Sequence, residues 1–142
     1  MQKSSDILIV GGGVTGLMTA LHLRERERGV DRVTIVERHF VGSGQSHRAA
    51  GVARASVRDA TVARALLESI EFFTTFEERF GQHVTFHRAG YLFLAEQCQS
   101  AAVDWVIAAA TEAGCRTGLI SGSEAGELQS GLRQDDGTLY SI

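Results

Sequence analysis

The sequence contains no proline and only two cysteines among its 142 residues. Without proline, no proline-rich linker can separate domains, and no serine-rich tract takes that role either. Cys98 and Cys115 belong to no Cys-X-X-Cys pair and no Cys/His cluster. This arrangement argues against a zinc site or a disulfide framework and favours a reducing compartment, so we interpret both cysteines as packing residues.

The sequence also lacks an excess of basic residues and any long apolar run. With a formal net charge of -3 and no basic stripe interleaved with aromatic residues, nucleic acid is not expected as a partner. The first apolar run, Ile7–Val10, is far shorter than the apolar region of a signal peptide or a membrane span. We therefore expect a cytoplasmic protein with no membrane partner and with the composition of a globular domain.

The first forty residues predict a strand, a helix and a second strand. Ile7–Val10 is a continuous apolar run, which is typical of a parallel strand buried on both faces. Helical spacing of apolar residues then predicts a helix over residues 15–28, ended by Gly29. The β-branched segment Val33–Val36 predicts the second strand. Together these elements predict a βαβ unit.

The rest of the sequence predicts further helices and short strands without an internal repeat. Residues 41–56, rich in Gly, Ser and Ala, predict an extended loop with room for a short helical turn. Apolar residues spaced by three and four predict one amphipathic helix over residues 59–80, closed by Gly81. Residues 84–87 and 91–95 flank a tight turn and predict a hairpin. The remaining predicted elements are a helix over residues 97–113, a strand over 116–121, a capped helix over 123–129 and a strand over 137–142.

The junction between the first strand and the first helix contains three consecutive glycines. Gly11, Gly13 and Gly16 form a GxGxxG pattern in the strand-turn-helix context that distinguishes a dinucleotide-binding turn from a chance match. In such a turn the first glycine permits the tight bend, the second lets the backbone approach a pyrophosphate, and the third allows close helix packing. The helix N-terminus then presents amide groups to the phosphates.

An acidic residue stands where this pattern requires one. Glu37 ends the second strand, where a carboxylate accepts hydrogen bonds from ribose hydroxyls and repels a 2′-phosphate. FAD or NAD is therefore favoured over NADP. The alternative is a nucleotide-free protein in which the glycines form an ordinary helix-entry turn, but strand, glycines, helix and carboxylate together favour a dinucleotide. Arg38 follows as a surface or adenine-stacking residue.

Four segments carry a resemblance to a known family. "DILIVGGGVTGLMTALHL", "VTIVER", "GSGQSHRAAGVAR" and "HRAGYLFLA", in this order and at these separations, resemble the N-terminal part of the D-amino-acid-oxidase-like FAD-dependent oxidoreductases, such as glycine oxidase, sarcosine oxidase and dimethylglycine dehydrogenase. The resemblance implies an α/β fold with a Rossmann-type FAD-binding domain, followed by the beginning of an α+β substrate domain. It places these parts at residues 1–81 and 82–142.

The resemblance also implies site residues. The positions that match the family's cofactor contacts are Gly11, Gly13, Val14, Thr15, Gly16, Glu37, Arg38, Ser43, Gly44, Ser46, Arg48, Ala49, Ala50 and Gly51. Arg54 matches an arginine that in some members reaches the substrate carboxylate; the alternative is a solvated or ion-paired arginine. Some relatives tether FAD through a histidine, but Arg48 holds that position here and His47 precedes it, which argues against covalent attachment. No catalytic residue and no metal site is assigned, because the histidines lack ligand spacing.

The activity that the resemblance implies is oxidation of the C–N bond of a small amine or amino acid by hydride transfer to flavin. We expect the isolated chain to be an incomplete part of that enzyme, because a lone βαβ unit leaves apolar strand edges exposed. We also expect it to be catalytically incompetent, because the resemblance implies a substrate domain of which this sequence holds only the beginning. A longer polypeptide or a second chain would complete the fold. The alternatives are a non-catalytic FAD- or NAD-binding module and a degenerate product.

Overall fold

The computed structural model describes residues 4–26, 29–132 and 138–141. They belong to two compact units, Met1–Val52 and Ala53–Ile142. Within the described ranges the α-helices are α1 (Val14–Arg26), α2 (Gln45–Arg48), α3 (Ala60–Thr74), α4 (Phe76–Phe80), α5 (Ser100–Glu112) and α6 (Gly122–Leu128). The strands are β1 (Ile7–Val10), β2 (Val33–Val36), β3 (Phe93–Glu96), β4 (Leu119–Ile120) and β5 (Thr138–Ser141).

The first unit contains the expected βαβ arrangement. Strands β1 and β2 pair in parallel, with Ile7 opposite Val33 and Val10 opposite Val36. Helix α1 connects them and packs against both strands. It is followed by Gly29, whose φ of 90° suits the expected helix end, whereas residues 27–28 of the predicted helix lie outside the described residues.

The two faces of this small sheet differ in burial. Ile7 and Ile9 are half-buried, whereas Leu8 and Val10 are 60% and 82% exposed. The prediction that β1 is buried on both faces is therefore wrong for this chain. The physical reason is that the alternating side chains of a strand reach opposite faces, and α1 packs on the face that carries Ile9.

The long helix predicted in the second unit is interrupted. Asp59 caps α3, because its Oδ1 accepts a hydrogen bond from the Val62 amide at 2.9 Å. The helical path breaks at Thr75, whose hydroxyl and amide both donate to the Glu71 carbonyl, and α4 then continues to Phe80. Gly81 closes α4 with a φ of 64°, as the sequence predicts.

The predicted hairpin is wrong. Residues 82–92 contain no strand, and β3 pairs instead with the distant β5 in an antiparallel register. The second unit thus contains a three-stranded sheet with the order β3-β5-β4. The pairing of β3 depends on a strand more than forty residues further on, which local turn chemistry cannot indicate.

Helices α5 and α6 lie near their predicted positions. A 3-10 helix, Gln97–Gln99, precedes α5, and α3 packs against α5 around small buried residues such as Ala63 and Ala110. Helix α6 begins at Gly122 and is capped by Ser121, so the predicted start at Ser123 lies too late in the chain. Of the predicted last strand, residues 137 and 142 lie outside the described residues.

The boundary between the compact units follows Val52, within the Gly- and Ala-rich segment after α2. The expected division into a FAD-binding part, residues 1–81, and a substrate-domain part, residues 82–142, concerns function and stays a prediction. Among the described residues, none of the helices has the length and apolar character needed to cross a membrane.

Candidate cofactor-binding site

The site is built on the turn between β1 and α1. Gly11 has a φ of 111°, a conformation that residues with a side chain rarely adopt. Its amide donates to the carbonyl of Val36 at 2.8 Å, so the turn is fixed to the end of β2. A chain leaving β1 can therefore bend sharply and enter α1 only with glycine at this position.

The other glycines of the pattern are required by close packing. A Cβ atom at Gly16 would lie 2.1 Å from the carbonyl oxygen of Gly11, a distance that no side chain tolerates. A Cβ at Gly13 would lie 3.1 Å from the Ser46 hydroxyl oxygen. The three glycines predicted from the sequence thus have separate roles in one turn: bending the chain, leaving space beside it, and letting α1 approach β1.

Glu37 is joined to the turn by its side chain. Its Oε2 accepts a hydrogen bond from the Gly12 amide at 2.8 Å, and its Oε1 accepts one from the His39 amide at 3.0 Å. These two bonds, with the Gly12 bond the stronger cause, lower the pKa of the Glu37 carboxyl below its ordinary value. The carboxylate is therefore ionised and held in place beside the glycine turn.

The loop after β2 is attached to the same turn by two further hydrogen bonds. The Gly42 amide donates to the Gly12 carbonyl at 2.9 Å. The Ser46 hydroxyl, on the short helix α2, accepts a hydrogen bond from the Val14 amide at 2.8 Å. The segment "GSGQSHR" therefore folds back onto the start of α1 and forms one wall beside the turn.

A cavity of about 330 Å³ lies between this wall and the turn, within the first unit. Its lining residues are Gly13, Glu37, Arg38, His39, Ser43, Gly44, Gln45 and Arg48. Two guanidinium groups, of Arg38 and Arg48, thus accompany the single carboxylate of Glu37. Positive charge, amide groups and hydroxyls suit phosphate groups, and a fixed carboxylate suits the hydroxyls of a ribose, so the residues present fit a dinucleotide.

Other predicted residues surround this cavity without lining it. Gly11, Val14, Thr15 and Gly16 form the turn and the first residues of α1, and Ser46 is bonded to Val14. Ala49, Ala50 and Gly51 follow α2 as exposed residues outside any helix or strand. Their predicted contact with a flavin ring stays a prediction.

Arg54 belongs to the second compact unit. Its guanidinium carbon lies 5.3 Å from the centre of the Tyr91 ring, and its Nη1 donates to the Ser56 carbonyl at 3.5 Å. Stacking on an aromatic ring restricts the orientation of a guanidinium without occupying its hydrogen-bond donors. Its predicted role with a substrate carboxylate stays a prediction.

Sequence reasoning missed three residues of the site: Gly12, His39 and Gln45. Gly12 is buried and donates the bond that fixes Glu37, but it occupies a variable position of the GxGxxG pattern and therefore carried no signal. His39 and Gln45 line the cavity only because the loop folds back onto the turn. In the described residues, no group of histidine, cysteine and acidic side chains could hold a metal ion.

Comparisons with known proteins are consistent with this geometry. The sequence is 31% identical, over 62% of the chain, to 4-methylaminobutanoate oxidase (formaldehyde-forming) of Paenarthrobacter nicotinovorans. It is 30% identical, over 64% of the chain, to mitochondrial dimethylglycine dehydrogenase of Homo sapiens. The chain spans about a tenth of the length of these curated relatives.

The fold also resembles a solved structure. L-proline dehydrogenase from P. horikoshii superposes on 99% of the chain with a TM-score of 0.83 and 28% sequence identity, and the chain covers 37% of that protein. This similarity confirms the expected fold class.

The family model described as FAD-dependent oxidoreductase (DAO) matches residues 6–141. The match confirms both the family resemblance and FAD as the cofactor of the family. Because it extends over nearly the whole sequence, the chain belongs to the DAO family of FAD-dependent oxidoreductases.

Proposed function

We propose that this chain forms the dinucleotide-binding part of a flavoenzyme that oxidises the C–N bond of a small amine or amino acid. The observation that carries the proposal is the Glu37 carboxylate, which the Gly12 amide holds at 2.8 Å beside a glycine turn. A positively charged cavity adjoins the same turn. An ionised carboxylate next to a phosphate-binding turn matches the ribose and pyrophosphate of FAD.

In this proposal, different residues of the first unit contact different parts of the cofactor. Glu37 accepts hydrogen bonds from the ribose hydroxyls, while Arg38 and Arg48 balance the charge of the pyrophosphate. Ser43 and Gly44, which line the cavity, would contact the ribityl chain. Ala49, Ala50 and Gly51 present small side chains and backbone to the flavin ring, where larger groups would prevent close approach.

The substrate class follows from the relatives. Proteins similar to this chain are named for 4-methylaminobutanoate, dimethylglycine and L-proline, molecules that each combine a substituted amine with a carboxylate. FAD supplies the hydride acceptor for such a reaction. Arg54, whose guanidinium stacks on Tyr91, would bind the substrate carboxylate through two parallel hydrogen bonds.

We further propose that the enzyme is cytoplasmic and that its substrate pocket is completed by residues outside this sequence. Cys98 and Cys115 are unpaired, which suits a reducing compartment. The chain spans about a tenth of the length of its curated relatives, so most of their length has no counterpart here. A further part of the same polypeptide or a second chain would supply it.

Titration of the purified chain with FAD tests the cofactor proposal. We expect saturable quenching of flavin fluorescence, and binding at least about tenfold weaker in Glu37→Lys, because lysine cannot accept from ribose hydroxyls. Glu68→Lys is the matched control, since Glu68 is an exposed residue of α3 and should leave binding unchanged. A protein that binds NADH but not FAD would contradict the proposal and favour a different dinucleotide module.

A further inference from the structure

The N-terminus of α1 has no capping side chain of its own. The residue before Val14 is Gly13, whereas helices of this length commonly have Ser, Thr, Asp or Asn at this position. The acceptor for the Val14 amide is instead the Ser46 hydroxyl, which lies 32 residues further along the chain. A side chain from another element thus caps the helix at the proposed phosphate site.

The hydrogen bonds of the turn determine which amides remain for a ligand. The amides of Gly11 and Gly12 donate to Val36 and Glu37, and the Val14 amide donates to Ser46. The amides of Gly13 and Thr15, by contrast, have no acceptor within the described part of the chain. These two amides flank the one that Ser46 holds.

We propose that Ser46 is a positioning residue for the pyrophosphate of the cofactor. By accepting from the Val14 amide, its hydroxyl fixes the first turn of α1 so that the Gly13 and Thr15 amides stay directed toward an anion. Ser46 acts through the backbone of α1 and not by displacing phosphate from it. Fixed donors bind more tightly because less conformational freedom is lost on binding. The inference rests on the proposed FAD function.

Ligand titrations with the full chain test this role. We expect Ser46→Ala to bind FAD and ADP about three- to tenfold more weakly, because the start of α1 must then be ordered when the pyrophosphate binds, while adenosine binding stays unchanged. Ser46→Thr retains the hydroxyl and should stay within about twofold of the original affinity. Ser69→Ala is the matched control, because the Ser69 hydroxyl donates only within α3, to Ala65.

Two outcomes would overturn the proposal. Equal weakening of adenosine and ADP binding would indicate general destabilisation, since adenosine lacks the pyrophosphate. Unchanged or tighter binding of FAD to Ser46→Ala would mean that the hydroxyl is irrelevant or competes with phosphate for the Val14 amide. Circular dichroism identifies any variant that fails to fold. In that case amide hydrogen exchange of the unsubstituted chain tests whether Ser46 fixes the start of α1.

Amide hydrogen exchange tests the geometry without any ligand. In the unsubstituted chain, we expect the Val14 amide to exchange more slowly than the Gly13 and Thr15 amides, and to keep that protection when ADP is added. Fast exchange of Val14, or loss of its protection on ADP binding, would overturn the role of Ser46. If the chain binds neither ADP nor FAD, the proposed function fails, whereas the exchange pattern still decides whether Ser46 positions α1.

Discussion

Gly16 is the residue at which the glycine turn tolerates a side chain least. A methyl group there would lie 2.1 Å from the Gly11 carbonyl oxygen and 3.3 Å from the Ile9 side chain. We expect Gly16→Ala to lower the free energy of unfolding by about 1–3 kcal/mol, because the backbone of the turn must shift. The same shift moves the phosphate-facing amides, so FAD binding should weaken as well. Urea unfolding and flavin titration measure the two effects.

Gly118→Ala is the control for that substitution. No atom lies within 4 Å of a Cβ at Gly118, and its backbone does not need glycine. The control should therefore change stability by less than about 0.5 kcal/mol. Equal stability of Gly16→Ala and Gly118→Ala would contradict the tight packing of α1 on β1.

Glu37 gives the site a pH dependence with a defined sign. Its pKa is lowered in the folded chain, chiefly by the Gly12 amide, so the ionised form stabilises the fold above the ordinary pKa of 4.5. This contribution is lost as the pH falls through the lowered pKa. We expect Glu37→Gln to be less stable at neutral pH, since an amide NH₂ opposes one backbone donor, and to lose less stability on acidification.

The slope of the thermal unfolding midpoint against pH, measured between neutral pH and about pH 3, compares the stability that the two proteins lose on acidification. Glu68→Gln removes an exposed carboxylate on α3 and should keep the slope of the unsubstituted chain. Parallel curves for Glu37→Gln and the unsubstituted chain would show that the two amide bonds contribute no pH-dependent stability.

The residues of the site were predictable to the extent that a local pattern specifies them. Gly11, Gly13, Gly16 and Glu37 follow from their spacing and its strand-turn-helix context, because the turn and the end of β2 lie side by side in a βαβ unit of this type. The contribution of Gly12 could not be predicted, since its amide matters only once Glu37 is in place. The cavity wall at His39 and Gln45 depends on the path of an irregular loop.

At the scale of elements, the best-defined helix start is that of α3. Asp59 accepts from the Val62 amide, and α3 contributes the buried Ala63 to its contact with α5. We expect Asp59→Ala to cost about 1 kcal/mol of unfolding free energy, the usual loss for an N-cap. Chemical denaturation followed by circular dichroism measures it.

Asp104→Ala provides the comparison for the cap. Asp104 is an exposed residue inside α5, where alanine is well tolerated, so stability should change by less than about 0.5 kcal/mol. If both substitutions have the same effect, the Asp59 side chain does not cap α3.

Elements defined by local signals were predicted more accurately than those that depend on distant partners. The helix start at Asp59 and the helix end at Gly81 agree with the sequence, because caps and left-handed glycines act within one helical turn. The hairpin at residues 84–95 was wrong, since β3 pairs with β5 instead. The break at Thr75 was also missed, because the apolar spacing continues through it.

For the whole molecule, the exposed apolar side chains agree with an incomplete fold. Leu8, Val10 and Val36 lie exposed on a sheet that has two strands in the described part of the chain. Parallel sheets usually have both faces covered, so an open apolar face departs from the usual arrangement. The sequence predicted an incomplete fold because it contains a single βαβ unit. It did not predict which strand residues would be exposed.

The last prediction concerns turnover. The cavity of the first unit adjoins the proposed cofactor residues, but the chain covers only 37% of L-proline dehydrogenase and about a tenth of its curated relatives. We therefore expect the chain to bind FAD without reducing a dye when 4-methylaminobutanoate, dimethylglycine or L-proline is added. The physical reason is that amine oxidation requires a substrate held at a fixed distance from the flavin, and water excluded from it.

A dye-reduction assay with added FAD tests this expectation. The Glu37→Lys variant, which is expected to bind FAD weakly, measures the dye reduction that free flavin causes. Reduction of the bound FAD by dithionite shows that the flavin in the complex accepts electrons, so the absence of turnover would not be due to an inert flavin. Amine-dependent reduction above the Glu37→Lys blank would contradict the prediction. It would mean that Arg54, Tyr91 and the other residues present suffice to orient the substrate, and the proposed need for a further polypeptide would have to be withdrawn.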